Sequence, residues 1–124
     1  MARRICDMAA PKGVTLMIEP VNRYEINFVN SVDDAAALLA RVERDNVGIM
    51  PDLFHMNIEE PSIAESLRRA GPRIYHVHLA DSNRWYPGAG HIDFGQVVRT
   101  LEAIGYIGGQ KAARPRFSTF SRSG

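Results

Sequence analysis

Apolar and polar positions in this chain fall into short, nearly unbroken apolar runs separated by longer stretches with helical spacing. Val14-Thr15-Leu16-Met17-Ile18 is such a run, the pattern of a strand buried on both faces. It ends in Glu19-Pro20, and a polar loop follows from Val21 to Asn30. Ser31 suits a helix N-cap, because its side-chain oxygen can accept an orphan backbone N–H, and Asp33 and Asp34 suit the positive helix end. Ala35 to Val42 continues that helix with Leu38, Leu39 and Val42 on one side. The order then recurs. Val47-Gly48-Ile49-Met50 is a second strand ending in Pro51-Asp52, and its loop carries Phe54-His55-Met56-Asn57. Pro61 or Ser62 opens a helix with Ile63, Leu67 and Ala70 on one face, stopped by Gly71-Pro72. Ile74 to Leu79 is a third strand. A loop with Gly and Pro, Tyr86 to Gly90, leads to a helix from about Phe94 to Ile104, with Gly105 as its terminating glycine. Upstream, Ile5 to Ala10 reads as the end of a helix closed by Pro11-Lys12-Gly13. Downstream, Tyr106-Ile107-Gly108-Gly109 reads as the approach to a fourth strand.

Strand, loop and helix therefore recur with strand starts near 14, 47 and 74, a spacing of roughly 30 residues that suits a βαβ unit. Such alternation predicts an α/β fold with a parallel sheet, either a (β/α) barrel or a doubly wound sheet. In both, reactive groups gather at the C-terminal ends of the strands. The stretch from Gln110 to Gly124 breaks the pattern. It carries Lys111, Arg114, Arg116 and Arg122 among Ser118, Ser121 and Ser123, with no strand or helix period. It is expected to be a disordered basic, Ser-rich tail, leaving 1–109 as the folded region.

Composition narrows the function classes. The 124 residues are 45% hydrophobic and 23% charged, the balance of a globular protein. Fifteen basic and fourteen acidic residues leave a net charge of +1, so bulk electrostatics argue for neither nucleic acid nor an anionic membrane as partner. No apolar stretch approaches the ~20 residues of a membrane helix. The charged N-terminus lacks the apolar region of a signal peptide. The single cysteine, Cys6, forms no internal disulfide and fits a reducing cytoplasm.

Side chains alternate between the faces of a strand, so parity places the candidate chemistry. Thr15, Met17 and Glu19 share one face; so do Gly48, Met50 and Asp52, and Ile74, His76, His78 and Ala80. If these faces line a barrel, Glu19, Asp52 and His78 reach its rim from adjacent strands. Two carboxylates and an imidazole suit Mn²⁺, Mg²⁺ or Co²⁺ better than a structural zinc. The competing readings are an arginine-paired carboxylate for Glu19, a turn or helix cap for Asp52, and a satisfied core group for His78. His76 lies deeper by this register and reads as a packing or supporting group. His55, on the loop after Asp52, can bind a hydroxyl or carbonyl oxygen. Arg84 can hold a hydroxyl, carboxylate or phosphate, or be a surface arginine. Pro87 to Asp93 reads as a tight connection or lid-like turn, and lacks the Gly-Lys-Ser/Thr ending of a phosphate loop.

Four segments together resemble a known family. They are Ile18-Glu19-Pro20-Val21-Asn22-Arg23-Tyr24-Glu25; Asp52-Leu53-Phe54-His55-Met56-Asn57-Ile58-Glu59-Glu60; His76-Val77-His78-Leu79-Ala80-Asp81-Ser82-Asn83-Arg84; and Pro87-Gly88-Ala89-Gly90-His91-Ile92-Asp93-Phe94. In this order and spacing they resemble the sugar phosphate isomerase/epimerase group, xylose isomerase-like TIM barrels that include the D-tagatose/D-psicose 3-epimerases. The resemblance covers about residues 3 to 109. It implies a partial (β/α)8 barrel, the C-terminal half with roughly strands 5 to 7 and an incomplete last strand. It implies Glu19 as metal ligand and acid/base carboxylate, Asp52 and His78 as ligands, and His55 and Arg84 as contacts to a small sugar or keto-sugar. The implied metal is Mn²⁺, with Mg²⁺ or Co²⁺ as substitutes. The implied reaction is proton abstraction by way of an enediolate, with a second glutamate returning the proton for epimerisation. That glutamate and a fourth ligand are expected on a strand after Gly109, yet no acidic residue follows Glu102, and the break in composition is what a shifted reading frame would leave. The chain is therefore expected to be an inactive fragment of a ketose 3-epimerase-like enzyme. The alternatives are a non-catalytic half-barrel that needs a partner chain or self-associates through open sheet edges, and an endonuclease IV-like abasic-site nuclease.

Overall fold

Side-chain oxygens start most of the helices, and this is why the element boundaries fall where they do. A computed structural model describes residues 1–108. Within them the order is α1 (Ala2–Ala9), β1 (Leu16–Ile18), α2 (Val32–Val42), β2 (Val47–Ile49), α3 (Leu53–Glu59), α4 (Ile63–Ala70) and α5 (Phe94–Ala103). The Ser31 hydroxyl accepts from the Asp34 N–H at 3.1 Å, and the Asp34 carboxylate accepts from the Ser31 N–H at 3.0 Å. This reciprocal pair satisfies two donors at the start of α2. Asp52, Ser62 and Asp93 cap α3, α4 and α5 through one side-chain oxygen each, which accepts the N–H of Phe54, Glu65 and Gln96 respectively. At the end of α5, Gly105 takes φ 74°, a left-handed turn that glycine enters without strain. It lets Tyr106 N–H reach Leu101 O at 2.9 Å and Gly105 N–H reach Glu102 O at 3.0 Å, closing the last carbonyls.

β1 and β2 pair in parallel, with Leu16 opposite Val47 and Ile18 opposite Ile49. Leu16 and Ile18 face the buried cluster that Val47 and Ile49 form with Val32, Leu39, Leu53 and Leu67 from the helices. Thus the helices cover one face of the sheet, as βαβ order requires. The other face, with Met17 at 43% exposure, has no covering layer among the described residues. The expectation that the first strand is buried on both faces is therefore corrected. At the far end, the Arg3 guanidinium donates to the Val42 and Arg41 carbonyls at 3.1 and 2.6 Å. It ties α1 to the carbonyl end of α2, where a cation is favoured.

Two further expectations change. The segment from Phe54 to Asn57, read as a loop, lies inside α3. Asp52 starts that helix by accepting the Phe54 N–H at 2.8 Å, and Leu53 and Met56, one turn apart, are buried. The third strand, expected over Ile74 to Leu79, is reduced to two isolated parallel bridges, Ile49 with Ile74 and Asp52 with His78. Tyr75 N–H reaches Ile49 O at 2.9 Å and His78 N–H reaches Pro51 O at 2.9 Å. Between those bonds the outer segment carries one extra residue. Pro51 has no N–H with which to fill the intervening rung, so the ladder slips as at a bulge. The slip breaks the parity used to place His76, which is exposed rather than deep, while Val77 is buried. Gly109 and the expected tail lie outside the described residues; Tyr106 to Gly108, the rest of the expected approach to a fourth strand, are described and form no strand.

Ser31→Ala is expected to lower stability by about 1 kcal/mol in urea denaturation, through loss of the cap. Asp34 is held below the ordinary carboxylate range, chiefly by the Ser31 N–H, against the upward push of burial. A carboxyl that is lower in the folded chain contributes fully above its unfolded value and loses that contribution as pH falls through the folded one. Asp34→Asn should therefore flatten the acid limb of stability below about pH 4.

Candidate metal centre

The ends of three neighbouring segments bring the predicted residues together. Glu19 follows β1 directly, Asp52 follows β2, and His78 is bridged to Asp52 by backbone pairing. His78 Nδ1 lies 3.1 Å from Glu19 Oε1 and 3.6 Å from Asp52 Oδ2. Ligand atoms of Glu19, Asp52 and His55 also lie within 4.8 Å of one another. Oxygen and nitrogen ligands at ~2.1–2.5 Å from one cation stand at most about 4–5 Å apart, so the spacing fits one divalent ion. The donor chemistry fits as well. Among the described residues no lysine or arginine pairs with Glu19; its partner is His78. Two carboxylates gathered at one strand rim without a cationic side chain on Glu19 repel one another, and a divalent cation relieves that repulsion. For Asp52, helix cap and candidate ligand are both correct. Oδ1 accepts the Phe54 N–H, and Oδ2 faces His78.

His55 takes a different role in the same cluster. It is buried, and its Nδ1 receives the Asn22 backbone N–H at 3.3 Å and the Asn22 side-chain amide at 2.9 Å. A backbone N–H can only donate, so Nδ1 is the acceptor and the ring proton sits on Nε2. That leaves Nε2–H as a hydrogen-bond donor toward an oxygen, which separates His55 from the ligand set and suits a substrate contact. Asn22 is itself fixed: its amide donates to Glu25 Oε2 at 2.6 Å and its carbonyl accepts the Tyr24 N–H at 3.0 Å.

Arg84 is brought to the same rim. Its guanidinium lies 4.8 Å from the Phe54 ring centre and 3.1 Å from Glu25 Oε1. Burial pushes the Glu25 carboxyl up, but Arg84 and Asn22 outweigh it and hold Glu25 below the ordinary glutamate range. Glu25 and Asn22 were missed as functional candidates, although both lie in the polar run after Glu19. No sequence signal marked them: the burial of Asn22, which obliges it to find hydrogen-bond partners, is set by the fold. His76 does not join the cluster; its ring meets His78 edge-on at 5.4 Å.

Comparison with known proteins identifies the family of the chain. Residues 2–109 match the model of the family described as xylose isomerase-like TIM barrel. The chain is 42% identical over 106 residues to the L-ribulose 3-epimerase of Methylomonas sp. (strain DH-1), covering 86% of this chain and 37% of that protein. It is 39% identical to the D-psicose 3-epimerase of Agrobacterium fabrum, covering 84% of this chain and 36% of that one. A crystal structure of D-psicose 3-epimerase with D-tagatose from Clostridium cellulolyticum H10 superposes with TM-score 0.83 at 37% identity, over 86% of this chain and 37% of that chain. The chain thus spans little more than a third of these relatives. The expected extent, a C-terminal half with strands 5 to 7, is corrected accordingly. Among the described residues no helix is long and apolar enough to cross a membrane.

The double role of Asp52 separates two substitutions. Asp52→Asn retains a side-chain cap and should leave stability without added metal nearly unchanged. Asp52→Ala should lower it by about 1 kcal/mol. If the site takes Mn²⁺, the ion should raise the melting temperature of the unaltered chain, as read by calorimetry, and both substitutions should abolish that rise.

Proposed function

Because the chain belongs to the xylose isomerase-like TIM-barrel family, we propose that it carries one side of the active site of a metal-dependent sugar epimerase of the ketose 3-epimerase type. The observation that carries this reading is the meeting of Glu19, Asp52 and His78 at adjoining strand ends, with no lysine or arginine on Glu19 among the described residues. Glu19, Asp52 and His78 would hold a divalent cation, Mn²⁺ by preference, with Mg²⁺ or Co²⁺ as substitutes. Such an ion, when bound, supplies Lewis-acid polarisation of neighbouring carbonyl and hydroxyl oxygens, which acidifies the C–H bond between them. The substrate is a small sugar or keto-sugar.

The roles of the residues follow from their partners. Glu19 is the carboxylate that takes the proton from carbon. His55 donates Nε2–H to a substrate oxygen and is held in that tautomer by Asn22. Arg84 presents the guanidinium edges that Glu25 leaves open. Inversion at carbon needs a second carboxylate on the opposite face of the sugar. Asp52 is engaged by its cap and Glu25 by Arg84 and Asn22, and no acidic residue follows Glu102 in the sequence. The 124-residue chain by itself is therefore read as an incomplete catalyst.

The second reading, a non-catalytic partial barrel that needs a partner chain or self-associates, draws support from the sheet. Val14, Met17 and Leu79 are 47%, 43% and 47% exposed, and a short sheet with uncovered apolar positions favours association. The nuclease reading is weaker. Among the described residues, Arg23 and Arg84, in the loops that follow Glu19 and His78, are each paired with a carboxylate, Glu59 and Glu25, which lowers the positive charge they offer a phosphate backbone.

Mn²⁺ titration of the purified chain should show weak binding that Glu19→Gln and His78→Ala each abolish. D-psicose incubated with the Mn²⁺-loaded chain should undergo no net epimerisation. Robust turnover would overturn the incomplete-catalyst reading, and metal binding indifferent to both substitutions would overturn the site. Sedimentation that yields dimers or larger species without turnover would favour the second reading.

A further inference from the structure

The segment after His78 is folded around one carboxylate that the mechanism above does not use. Asp81 is fully buried. Its Oδ1 accepts the backbone N–H groups of Ser82 at 2.7 Å and Ile92 at 3.1 Å, and its Oδ2 accepts that of Gly88 at 2.8 Å. Gly90 N–H is directed at the same carboxylate. Burial alone would raise the Asp81 carboxyl, but these backbone donors hold it far below the ordinary aspartate range, so it stays ionised.

The main chain of Asp81 completes the fold of the loop. Its N–H reaches Trp85 O at 2.9 Å and its carbonyl accepts the Arg84 N–H at 2.8 Å. Arg84, between those two bonds, adopts φ 67°, a left-handed conformation in which a non-glycine residue persists only when its surroundings enforce it. That conformation carries the guanidinium over Phe54 and against Glu25. Gly90 permits the close approach on the other side: a Cβ there would collide with Ser82 Oγ and with the Asp81 carboxylate.

We propose that Asp81 is the positioning residue for Arg84: its buried carboxylate gathers the backbone N–H groups of the 82–92 loop, so that the loop delivers the guanidinium to the rim of the metal centre. The consequence for sugar binding rests on the function proposed above; the placement of Arg84 does not. Asparagine is no substitute for Asp81, because its NH₂ would meet N–H donors where the carboxylate offers a second acceptor. By contrast, Ser82 Oγ accepts the His91 N–H at 3.0 Å, a bond that does not involve the Asp81 carboxylate.

The test is NMR on the full chain with Mg²⁺ present. The Arg84 side-chain signals, assigned with Arg84→Lys, should be shifted upfield by the Phe54 ring in the unaltered chain. Asp81→Asn and Gly90→Ala should each return them to the position of an unstructured arginine, while the amide signals of α2, β1 and β2 stay in place. Ser82→Ala should leave the Arg84 shift intact. Retention of the shift in Asp81→Asn, or its absence in the unaltered chain, would overturn the proposal. Equal loss of the shift in Ser82→Ala would also overturn it, by making Asp81 one loop contact among many. D-psicose affinity is read in parallel. If Asp81→Asn displaces Arg84 and weakens sugar binding about as much as Arg84→Lys does, placement and function both stand. If Arg84 moves while sugar binding is absent or unaffected throughout, the placement stands and the epimerase reading fails.

Discussion

Parallel pairing of two outer segments to one buried central strand is the constraint on which the rest of the molecule depends. β2 has all three residues buried. It receives β1 on one side, and on the other its chain direction is shared by the segment from Ile74 to His78. Each of the three candidate ligands lies at or just past the last rung of that ladder. Glu19 follows the pairing of Ile18 with Ile49, and Asp52 is itself bridged to His78. The cluster is therefore held by backbone hydrogen bonds rather than by its own side chains. This is why two carboxylates with like charge can be kept near each other, and why strand ends in such folds repeatedly host reactive groups.

Pro51 shows how a local feature adjusts that frame. Because proline offers no N–H, the third segment slips by one residue between Tyr75 and His78. The slip leaves His76 outside and still seats His78 against Asp52. A regular strand there would have kept His76 and His78 on one face. The α3 helix that begins at Asp52 adds a second consequence. One carboxylate oxygen is consumed by the cap and the other is thereby aimed at His78. A helix start and a candidate ligand are thus made from the same residue.

Much of this was legible in the sequence. The apolar runs at Leu16 to Ile18 and Val47 to Ile49, the caps at Ser31 and Ser62, the stop at Gly105, and the strand-end placement of Glu19, Asp52 and His78 all follow from short-range rules of periodicity and capping. What was not legible depended on pairing across the chain. The helix over Phe54 to Asn57 is a short one whose start requires knowing that Asp52 turns its side chain back onto Phe54. The exposure of His76 requires the register slip at Pro51. The partnership of Asn22, Glu25, His55 and Arg84 joins positions far apart in sequence, and no local pattern distinguishes them from ordinary loop residues. Asp81 was visible only as a loop aspartate, because its role lies in backbone donors supplied by Ser82, Gly88 and Ile92.

The account turns on which imidazole would hold the cation, since His55 and His78 both border the carboxylates but the acceptor nitrogen of His55, Nδ1, is taken by the Asn22 amide donors. Pulsed electron paramagnetic resonance of Mn²⁺ bound to the chain reads this directly, through modulation from a metal-bound imidazole nitrogen. The account predicts that the modulation is present in the unaltered chain, persists in His55→Ala and vanishes in His78→Ala. Modulation that survives in His78→Ala and disappears in His55→Ala would contradict it.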